Sequence, residues 1–291
     1  MSAKGTMFFD INNCKREEAE ISIISAPLEK TTSYQKGTSV APKSILEASF
    51  QLEDYDIETR SCPFGDKIYN APEIDFNNLD MRNSILKIEE LVTSETKRGV
   101  FPLVLGGEHS ISVGVFKGLK NTYNELGVVH FDAHGDLRNS YEEEPLSHAC
   151  VLRRIRELTK HTLSVGIRSI CSEEVEYIER EKPSIVYAHE FIDFDGALLK
   201  FNSLLRQLPE KLFITFDVDV FDPSVIAHTG TPEPGGLSWY QILSLLKLVF
   251  KEKKVVGADI VELMPRDNSK ESDFTIAKLV GKMIAYKKFF S

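Results

Sequence analysis

Six acidic and imidazole side chains occur in three short segments of this sequence, at spacings that suit a metal site. They are His109 in GGEHS, Asp132, His134 and Asp136 in DAHGD, and Asp217 and Asp219 in DVDVFDP. Four aspartates at buried strand ends would repel one another at a cost of several kcal/mol without a compensating charge. These segments contain no lysine or arginine before Arg138. A pair of divalent cations would supply the missing positive charge.

The chemistry of this ligand set indicates manganese rather than zinc. Carboxylate oxygens supplemented by imidazole nitrogens suit manganese, whereas structural zinc sites favour thiolates and imidazoles in a closed tetrahedron. Six side chains cannot fill two octahedra unless some carboxylates bridge, so the set predicts two ions about 3.5–4 Å apart, a device that generates hydroxide at neutral pH. Four aspartates, two divalent ions and one hydroxide leave a single net negative charge. That charge favours a cationic substrate.

Each motif taken alone also has a simpler explanation. A single histidine after a glycine pair, such as His109, more often lies in a loop or a core than on a metal. The aspartates of DAHGD and DVDVFDP could equally cap helices or hold turns. Alternation along an extended chain nevertheless places Asp132, His134 and Asp136 on one face, as a metal requires. Asp222 precedes a proline and is better explained as a turn residue.

Short apolar runs alternate with segments of helical period, which is the pattern of a parallel sheet covered by helices on both faces. The runs predict seven buried strands, at residues 21–26, 100–105, 126–131, 163–167, 185–188, 212–216 and 255–261. We expect an eighth strand in the less regular first hundred residues. Helices are predicted at residues 84–95, 148–158, 240–251 and 275–289. Because no linker, repeat or low-complexity tract divides the chain, residues 1–291 are predicted to form one α/β domain.

The predicted strands bring the chemically capable residues to one edge of the sheet. In open α/β sheets, ligands bind beyond the carboxyl ends of the strands. Strands 100–105, 126–131 and 212–216 run into the three motifs above, and strand 255–261 reaches Glu262. Four separate strands therefore deliver acids and imidazoles to the same place.

Composition limits the class of partner. The chain has 27% charged residues, a formal net charge of −9 and a pI near 5.4, whereas nucleic-acid-binding proteins usually carry a concentrated basic face. No apolar run approaches the roughly 20 residues that cross a bilayer, and charges interrupt the N-terminus before a signal peptide could form. The four cysteines are scattered without CxxC spacing. These features predict a cytoplasmic chain with reduced thiols and with neither a nucleic-acid nor a membrane partner.

Six sequence strings carry a resemblance to a known family. In chain order they are GGEHS, HFDAHGD, SHAC, FDVDVFDP, TGTPEPGG and DIVELMP, and their order and spacing match from about residue 33 to the C-terminal helix. The sequence is thereby identified as a member of the ureohydrolase (arginase–agmatinase) family, and residues 31–56 resemble the N-terminal motif of agmatinases. The resemblance implies a three-layer α/β/α sandwich around a parallel eight-stranded sheet, two Mn²⁺ per subunit, and homo-oligomers, either trimers or hexamers.

The resemblance also implies which residues hold the ions and which perform the reaction. One ion would be held by His109, Asp132, Asp136 and Asp217, and the other by Asp132, His134, Asp217 and Asp219. Asp136 would orient the attacking hydroxide, His148 would relay protons, and Glu262 would pair with the substrate guanidinium. Without the other motifs, a histidine at a helix start such as His148 would be better explained as a polar neighbour of the helix cap.

The substrate is predicted to be a small cationic guanidino compound, and agmatine, cleaved to putrescine and urea, is the best single candidate. Besides His148 and Glu262, the substrate-binding residues would include Glu142 and Glu143, which suit a distal ammonium and would repel the carboxylate of arginine. A run of glutamates is more often just a solvated loop. His228 stands where many relatives carry a small residue. Guanidinobutyrate, an aminopropylated agmatine, free guanidine, arginine and formimidoylglutamate therefore remain alternatives.

Two other classes of protein fit the sequence less well. A non-catalytic regulatory relative should have lost metal ligands, whereas all six are present. A dinucleotide-binding enzyme on a similar sheet would need a GxGxxG motif after an early strand, and the sequence has none.

Overall fold

The fold is given by a computed structural model, which describes residues 7–10, 14–65 and 67–290. Residues 1–6 and 11–13, on which the signal-peptide expectation partly rests, lie outside these ranges. The strands are β1 Ile21–Ala26, β2 Ile68–Asn70, β3 Phe101–Gly106, β4 Gly127–Phe131, β5 Thr162–Ile167, β6 Ser184–Tyr187, β7 Lys211–Asp217 and β8 Lys254–Val261. They form one parallel sheet in the order β2-β1-β3-β8-β7-β4-β5-β6.

Helices cover both faces of the sheet, as a parallel sheet requires. Within the described ranges they are α1 Ala41–Ser49, α2 Met81–Lys97, α3 Ile111–Lys120, α4 Val151–Arg156, α5 Ser172–Glu181, α6 Phe194–Arg206, α7 Trp239–Glu252 and α8 Glu271–Phe289. None of these helices is both long and apolar enough to span a lipid bilayer.

Two apolar cores separate the layers. Successive strand residues point to opposite faces, so Ile23 of β1 belongs to the core that includes residues of α1, α6, α7 and α8, whereas Ile24 belongs to the core that includes residues of α2, α3 and α4. All residues of β1 and β3 are buried, which explains why these strands are continuous apolar runs rather than alternating ones. The predicted three-layer α/β/α sandwich with eight parallel strands is confirmed.

The eighth strand, expected in the first hundred residues, is β2. It contains only three residues and pairs with β1 through Ile21↔Ile68, Ser22↔Tyr69 and Ile23↔Asn70 at the edge of the sheet. A strand this short carries too little periodicity to be located from sequence.

The helix predicted at residues 148–158 is corrected by the structure. Residues His148–Cys150 form a 3-10 turn, and the α-helix begins only at Val151. Cys150 has φ −121° and ψ 5°, a non-helical conformation that separates the two segments. His148 therefore lies on a turn beside the site rather than within a regular helix.

Candidate metal centre and active site

The site lies at the carboxyl ends of the four central strands. Strands β3, β8, β7 and β4 are neighbours in the sheet. Phe131 of β4 pairs with Phe216 of β7, and Asp217 pairs with Val261 of β8, so these strands end at the same level. Their following residues therefore meet, as the sequence predicted.

His109 lies at the centre of one half of the site. Its Nδ1 is 3.1 Å from Asp132 Oδ2, 3.0 Å from Asp136 Oδ2 and 3.4 Å from Asp217 Oδ2. The ring is buried, and Nδ1 makes no hydrogen bond within the described chain. Its other nitrogen, Nε2, contacts Thr215 Oγ1 at 2.9 Å. One nitrogen and three carboxylate oxygens thus converge on a single point, which is the donor arrangement of a divalent cation.

His134 forms the other half. Its Nδ1 is 2.8 Å from Asp219 Oδ2 and 3.6 Å from Asp132 Oδ1. The two oxygens of Asp132 thus face two different imidazoles, which is the placement a bridging carboxylate needs. Asp217 faces His109 through Oδ2, while its Oδ1 accepts a hydrogen bond of 2.9 Å from the backbone nitrogen of Asp219. The structure brings all six sequence-predicted ligands together.

The charge balance of this cluster requires a cation. Burial lowers the pKa of His134, but the Asp219 and Asp132 carboxylates outweigh it and raise the pKa to about 12. Burial raises the pKa of Asp217, and the charges of Asp219 and Asp132 raise it well above its ordinary value. Divalent ions would take the place of these protons, because they bind the lone pairs of the same nitrogen and oxygen atoms. The residues fit a binuclear metal centre.

Two carboxylates of the site are carried by strained backbone. Asp136 has φ 52° and Glu262 has φ 65°, in the left-handed region that side chains rarely adopt. Backbone hydrogen bonds hold both: Arg153 N donates to Asp136 O at 2.9 Å, and Glu262 N donates to Gly107 O at 2.8 Å. Such strain persists only where the surroundings over-determine the conformation. The effect is to aim both carboxylates into the site.

Glu262 lies against the metal cluster rather than inside it. Its Oε1 accepts a hydrogen bond of 2.6 Å from the backbone nitrogen of His109. Burial is the main cause that raises its pKa to about 8; the His109 hydrogen bond opposes this and the charge of Glu108 adds to it. A bound cation would restore the ionised form, because opposite charge favours the carboxylate. The placement suits a partner for a guanidinium group.

The candidate active-site cavity opens beside the metal cluster. Glu262 and His148 line it together with Asp136, Asp217 and Asp219. The remainder of the wall is mostly polar and includes Ser33, Tyr34, Gln35, Arg138, Tyr141, Ser169, Cys171, Glu174 and Thr229. Five of the six predicted ligands, all but Asp132, therefore line one cavity with the predicted catalytic groups.

Glu142 and Glu143 lie away from this cavity. Both are exposed, with φ values of 49° and 67°, at the tip of a tight turn closed by backbone hydrogen bonds between Tyr141 and Glu144. The wall of the cavity at this point is formed by Tyr141 and Arg138, whose guanidinium carbon lies 5.1 Å from the Tyr141 ring centroid. The structure does not bring the two glutamates to the other site residues.

His228 also points away from the cavity. It is buried, and its Nε2 lies 3.1 Å from Ser269 Oγ, while the next residues, Thr229 and Gly230, line the cavity. Asp222 accepts hydrogen bonds from Ser224 and from two backbone nitrogens of the loop at residues 235–236, as expected of a turn residue.

His130 was not among the site residues predicted from the sequence. This buried histidine of β4 contacts Asp132 Oδ2 through Nε2 at 2.8 Å and Ser164 Oγ through Nδ1 at 3.2 Å. Its ring stacks on that of His109 with centroids 5.4 Å apart. The available signal was its spacing, since residues two apart on a strand share a face. His130 thus supports the carboxylate placed to bridge the two halves of the site.

A family model described as the arginase family matches residues 19–285. The chain belongs to the arginase family. It is 38% identical over 276 residues to an N(1)-aminopropylagmatine ureohydrolase of Synechocystis, which covers 92% of this chain and 89% of that relative. It is 35% identical to an agmatinase of Bacillus anthracis, with 92% of each chain covered. The solved structure of an agmatine ureohydrolase of Thermoplasma volcanium superposes with a TM-score of 0.89 at 29% identity, over 100% of this chain and 96% of that one.

Membership of the arginase family agrees with the geometry. The predicted family and fold are confirmed, and the chain is a ureohydrolase, that is, a hydrolase of guanidino compounds. Its histidine and aspartate cluster is compatible with the metal dependence of an arginase-family hydrolase.

Proposed function

We propose that this chain hydrolyses the guanidinium group of an amine-tailed guanidine of the agmatine type, with two Mn²⁺ at the centre. The observation that carries the proposal is the convergence of three carboxylate oxygens on the unpartnered Nδ1 of His109. It supports a metal-assisted hydrolysis, and the names of the relatives support a guanidine as substrate.

The choice of manganese follows from the donor set. The six side chains offer carboxylate oxygens and two imidazoles, and no thiolate takes part, which favours manganese over zinc. When bound, such a pair lowers the pKa of water so that hydroxide is available at neutral pH. His109, Asp132, Asp136 and Asp217 would hold one ion, and Asp132, His134, Asp217 and Asp219 the other.

Glu262 binds the substrate in this proposal. Its carboxyl lies at the cavity wall, within hydrogen-bond distance of the His109 backbone nitrogen through one oxygen, so the second oxygen can accept from a guanidinium N–H. A guanidinium is planar and donates in a fork that matches a carboxylate. The same contact keeps the reacting carbon facing the metal cluster, which supplies the orientation that the reaction needs.

Asp136 and His148 transfer the protons of the reaction. Water adds to the guanidinium carbon, forming the carbon–oxygen bond, and its proton passes to the Asp136 carboxylate. The carbon–nitrogen bond to the alkyl chain then breaks, and the departing nitrogen takes up that proton through His148. The second proton of the water leaves the oxygen as urea forms and is taken up by the released amine, so the products are urea and a primary ammonium ion, and atoms and charge balance. Both residues line the cavity, which supports these roles.

The names of the relatives support two substrates, which differ in the amine-bearing tail attached to the guanidinium group. The 38% identical relative is named for N(1)-aminopropylagmatine, whereas relatives of Bacillus anthracis, Bacillus subtilis and Pyrococcus horikoshii are named agmatinase. Glu142 and Glu143 are not among the residues that line the cavity, so our choice between the two tails does not rest on them. We place N(1)-aminopropylagmatine first and agmatine second.

Urea release from manganese-loaded protein tests the proposal. N(1)-aminopropylagmatine, agmatine, guanidinobutyrate, arginine and guanidine should be compared by kcat/KM. We expect the two amine-tailed compounds to exceed the others by at least tenfold, and the Glu262→Gln variant to lose most of that activity. Preference for guanidinobutyrate or arginine would contradict an amine tail and point to Arg138, the cation on the cavity wall.

We also propose that the chain works as a homo-oligomer, a trimer or hexamer, in the cytoplasm. Ile192 is 92% exposed and Leu199 is 71% exposed, so both aliphatic side chains are available for a contact between subunits. Cys62, Cys150 and Cys171 form no disulfide, which suits a reducing compartment. Light scattering after size-exclusion chromatography would give the oligomer size, and a monomer would refute the first part.

A further inference from the structure

The proposed proton-transfer residue His148 is held by a residue far away in the sequence. Thr31 Oγ1 lies 3.2 Å from His148 Nδ1, and it also accepts a hydrogen bond of 3.0 Å from the backbone nitrogen of His148. Thr31 lies 117 residues before His148, on the loop that follows β1. One hydroxyl therefore contacts the histidine twice.

The same hydroxyl is bound on its other side by Glu108. Thr31 Oγ1 lies 3.0 Å from Glu108 Oε1, and the backbone nitrogens of Lys30 and Thr31 each donate to Glu108 Oε2 at 2.6 Å. Ser110 Oγ donates to Oε1 as well. Glu108 is fully buried. Two backbone nitrogens and two hydroxyls, those of Thr31 and Ser110, donate to this carboxyl group, so the proton of the Thr31 hydroxyl points to Glu108.

Counting protons then assigns the tautomer of His148. A hydroxyl has one proton, and Thr31 donates it to the Glu108 carboxylate, the stronger acceptor. The remaining Thr31 lone pairs must face donors. One such donor is the backbone N–H of His148. The other must be the ring Nδ1, 3.2 Å away, because a lone pair on Nδ1 would repel a lone pair of Thr31 Oγ1 at that distance. Ser147 Oγ, 3.3 Å from Nδ1, can accept the same proton.

We propose that Thr31 is a positioning residue which, through Glu108, locks His148 in the Nδ1–H tautomer. The ring then keeps its free lone pair on Nε2, the nitrogen available to take and return a proton at the cavity. The edge-to-face contact with Tyr141, 5.7 Å between centroids, restrains the ring on another side. The proposal rests on the proposed function only in giving His148 a role in proton transfer; the tautomer itself follows from the hydrogen bonds.

Imidazole NMR tests the tautomer without reference to activity. Full-length protein carrying ¹⁵N-labelled histidine would be recorded free of manganese, whose paramagnetism broadens nearby signals, with His148→Gln used to assign the ring. We expect neutral His148 to show the Nδ1–H pattern. In Thr31→Val, which keeps the shape but lacks the hydroxyl, we expect the Nε2–H form to become populated, and in Thr31→Ser the Nδ1–H form to return. An Nε2–H ring in the unaltered protein would overturn the proposal.

A second variant keeps the test decisive if Thr31→Val fails to fold. In Glu108→Gln the amide nitrogen faces Thr31 and donates to it, which frees the Thr31 proton to point at His148 Nδ1. We therefore expect Glu108→Gln to invert the tautomer. A tautomer that changes in Ser147→Ala but not in Glu108→Gln or Thr31→Val would assign the role to Ser147 and refute ours.

Kinetics separate positioning from a merely structural role. For manganese-loaded Thr31→Val we expect kcat for urea release to fall about 10- to 100-fold, because a misdirected catalytic group costs that much, with KM within about twofold. Thr31→Ser should recover most of kcat. If Thr31→Val lost manganese or stability to an extent that accounted for the whole fall in kcat, a positioning role would be refuted. Absence of urea with every guanidine would overturn the proposed function, while the NMR result would still decide the tautomer.

Discussion

At the scale of single residues, Asp132 connects the two halves of the metal centre. Its Oδ2 lies 3.1 Å from His109 Nδ1 and its Oδ1 lies 3.6 Å from His134 Nδ1, so removing this one side chain takes a donor from both halves. Asp217 has a comparable position, facing His109 with one oxygen and holding the backbone of Asp219 with the other. Residues that share two ions should be the least replaceable.

Alanine at Asp132 or Asp217 should therefore abolish urea release. We expect each variant to bind fewer than two manganese ions per chain, measured by elemental analysis after dialysis, because each loses a proposed bridge. Asp222→Asn is the matched control, since Asp222 is an aspartate of the same segment as Asp217 that holds a turn instead of the site. Substantial activity in either alanine variant after reloading would contradict a binuclear mechanism.

His130 should matter for metal affinity rather than for the chemical step. It contacts Asp132 Oδ2 without being a proposed ligand itself. Hydrogen bonds to a metal-ligating residue of this kind are worth roughly 10- to 100-fold in metal affinity. We expect His130→Phe to raise the manganese dissociation constant by that factor, as followed by electron paramagnetic resonance of free Mn²⁺. His130→Gln, which keeps an N–H donor, should recover part of it. Unchanged affinity in His130→Phe would mean that the contact is not used.

At the scale of elements, the central strands were predictable and the short edge strand β2 was not. Residues 212–216 were expected and Lys211–Asp217 is found, because a strand buried on both faces is a continuous apolar run. The edge strand β2 has three residues and no such run. Helix α2 begins at Met81 rather than residue 84, since Asp80 caps it by accepting from Asn83 N. The interior of a strand is therefore easier to predict from the sequence than its ends.

The same division applies to the site. The six proposed ligands could be singled out because they lie in short motifs at or just after the ends of apolar strands. Thr31, by contrast, contacts Glu108 across 77 residues and His148 across 117, and no local pattern reveals such contacts. The positive φ at Asp136 and Glu262 is equally invisible in the sequence, since it is imposed by hydrogen bonds from Arg153 and to Gly107.

Helix α8 is attached to the rest of the chain by an ion cluster around the buried Lys282, outside the active site. Lys282 Nζ lies 2.7 Å from Asp56 Oδ2 and 2.5 Å from Glu58 Oε2, and the Tyr286 hydroxyl donates to Glu58 at 2.6 Å. Burial alone would raise the pKa of both carboxyls, but the Lys282 ammonium outweighs it and holds both below their ordinary values. A lowered carboxyl pKa stabilises the fold above the unfolded pKa of about 4 and stops doing so as pH falls.

Lys282→Met should accordingly destabilise the protein at neutral pH. We expect a loss of about 2 kcal/mol in the free energy of unfolding at pH 7, because buried Asp56 loses its partner while the more exposed Glu58 adds less, and a smaller loss near pH 3, below the unfolded pKa of both carboxyls, where part of this stabilisation is gone. Urea denaturation at the two pH values measures this. Lys278→Met, one turn earlier on α8, is the control and should change stability by less than about 0.5 kcal/mol. An equal loss at both pH values would contradict an electrostatic origin.

At the scale of the whole molecule, metal binding and folding should be coupled. The ligands come from β3, β4 and β7, so the site exists only when the sheet is assembled, and ions that bind only the folded state stabilise it. Manganese at 100 times its dissociation constant should add about 2.7 kcal/mol and raise Tm by several degrees. Calorimetry with and without a chelator measures the shift, which should vanish in Asp132→Ala. A Tm that is the same with and without manganese would contradict the binuclear site.

The position of β8 has a consequence for how the protein is made. This last strand, Lys254–Val261, is inserted between β3 and β7 in the middle of the sheet. A ribosome delivers the chain from its N-terminus, so both neighbours leave the exit tunnel with an unpaired edge and wait for the strand that joins them. Unpaired edges of this kind favour pairing with other chains. Nascent or truncated chains that end before residue 254 should therefore depend on chaperones, and catalytic competence appears only near the end of synthesis.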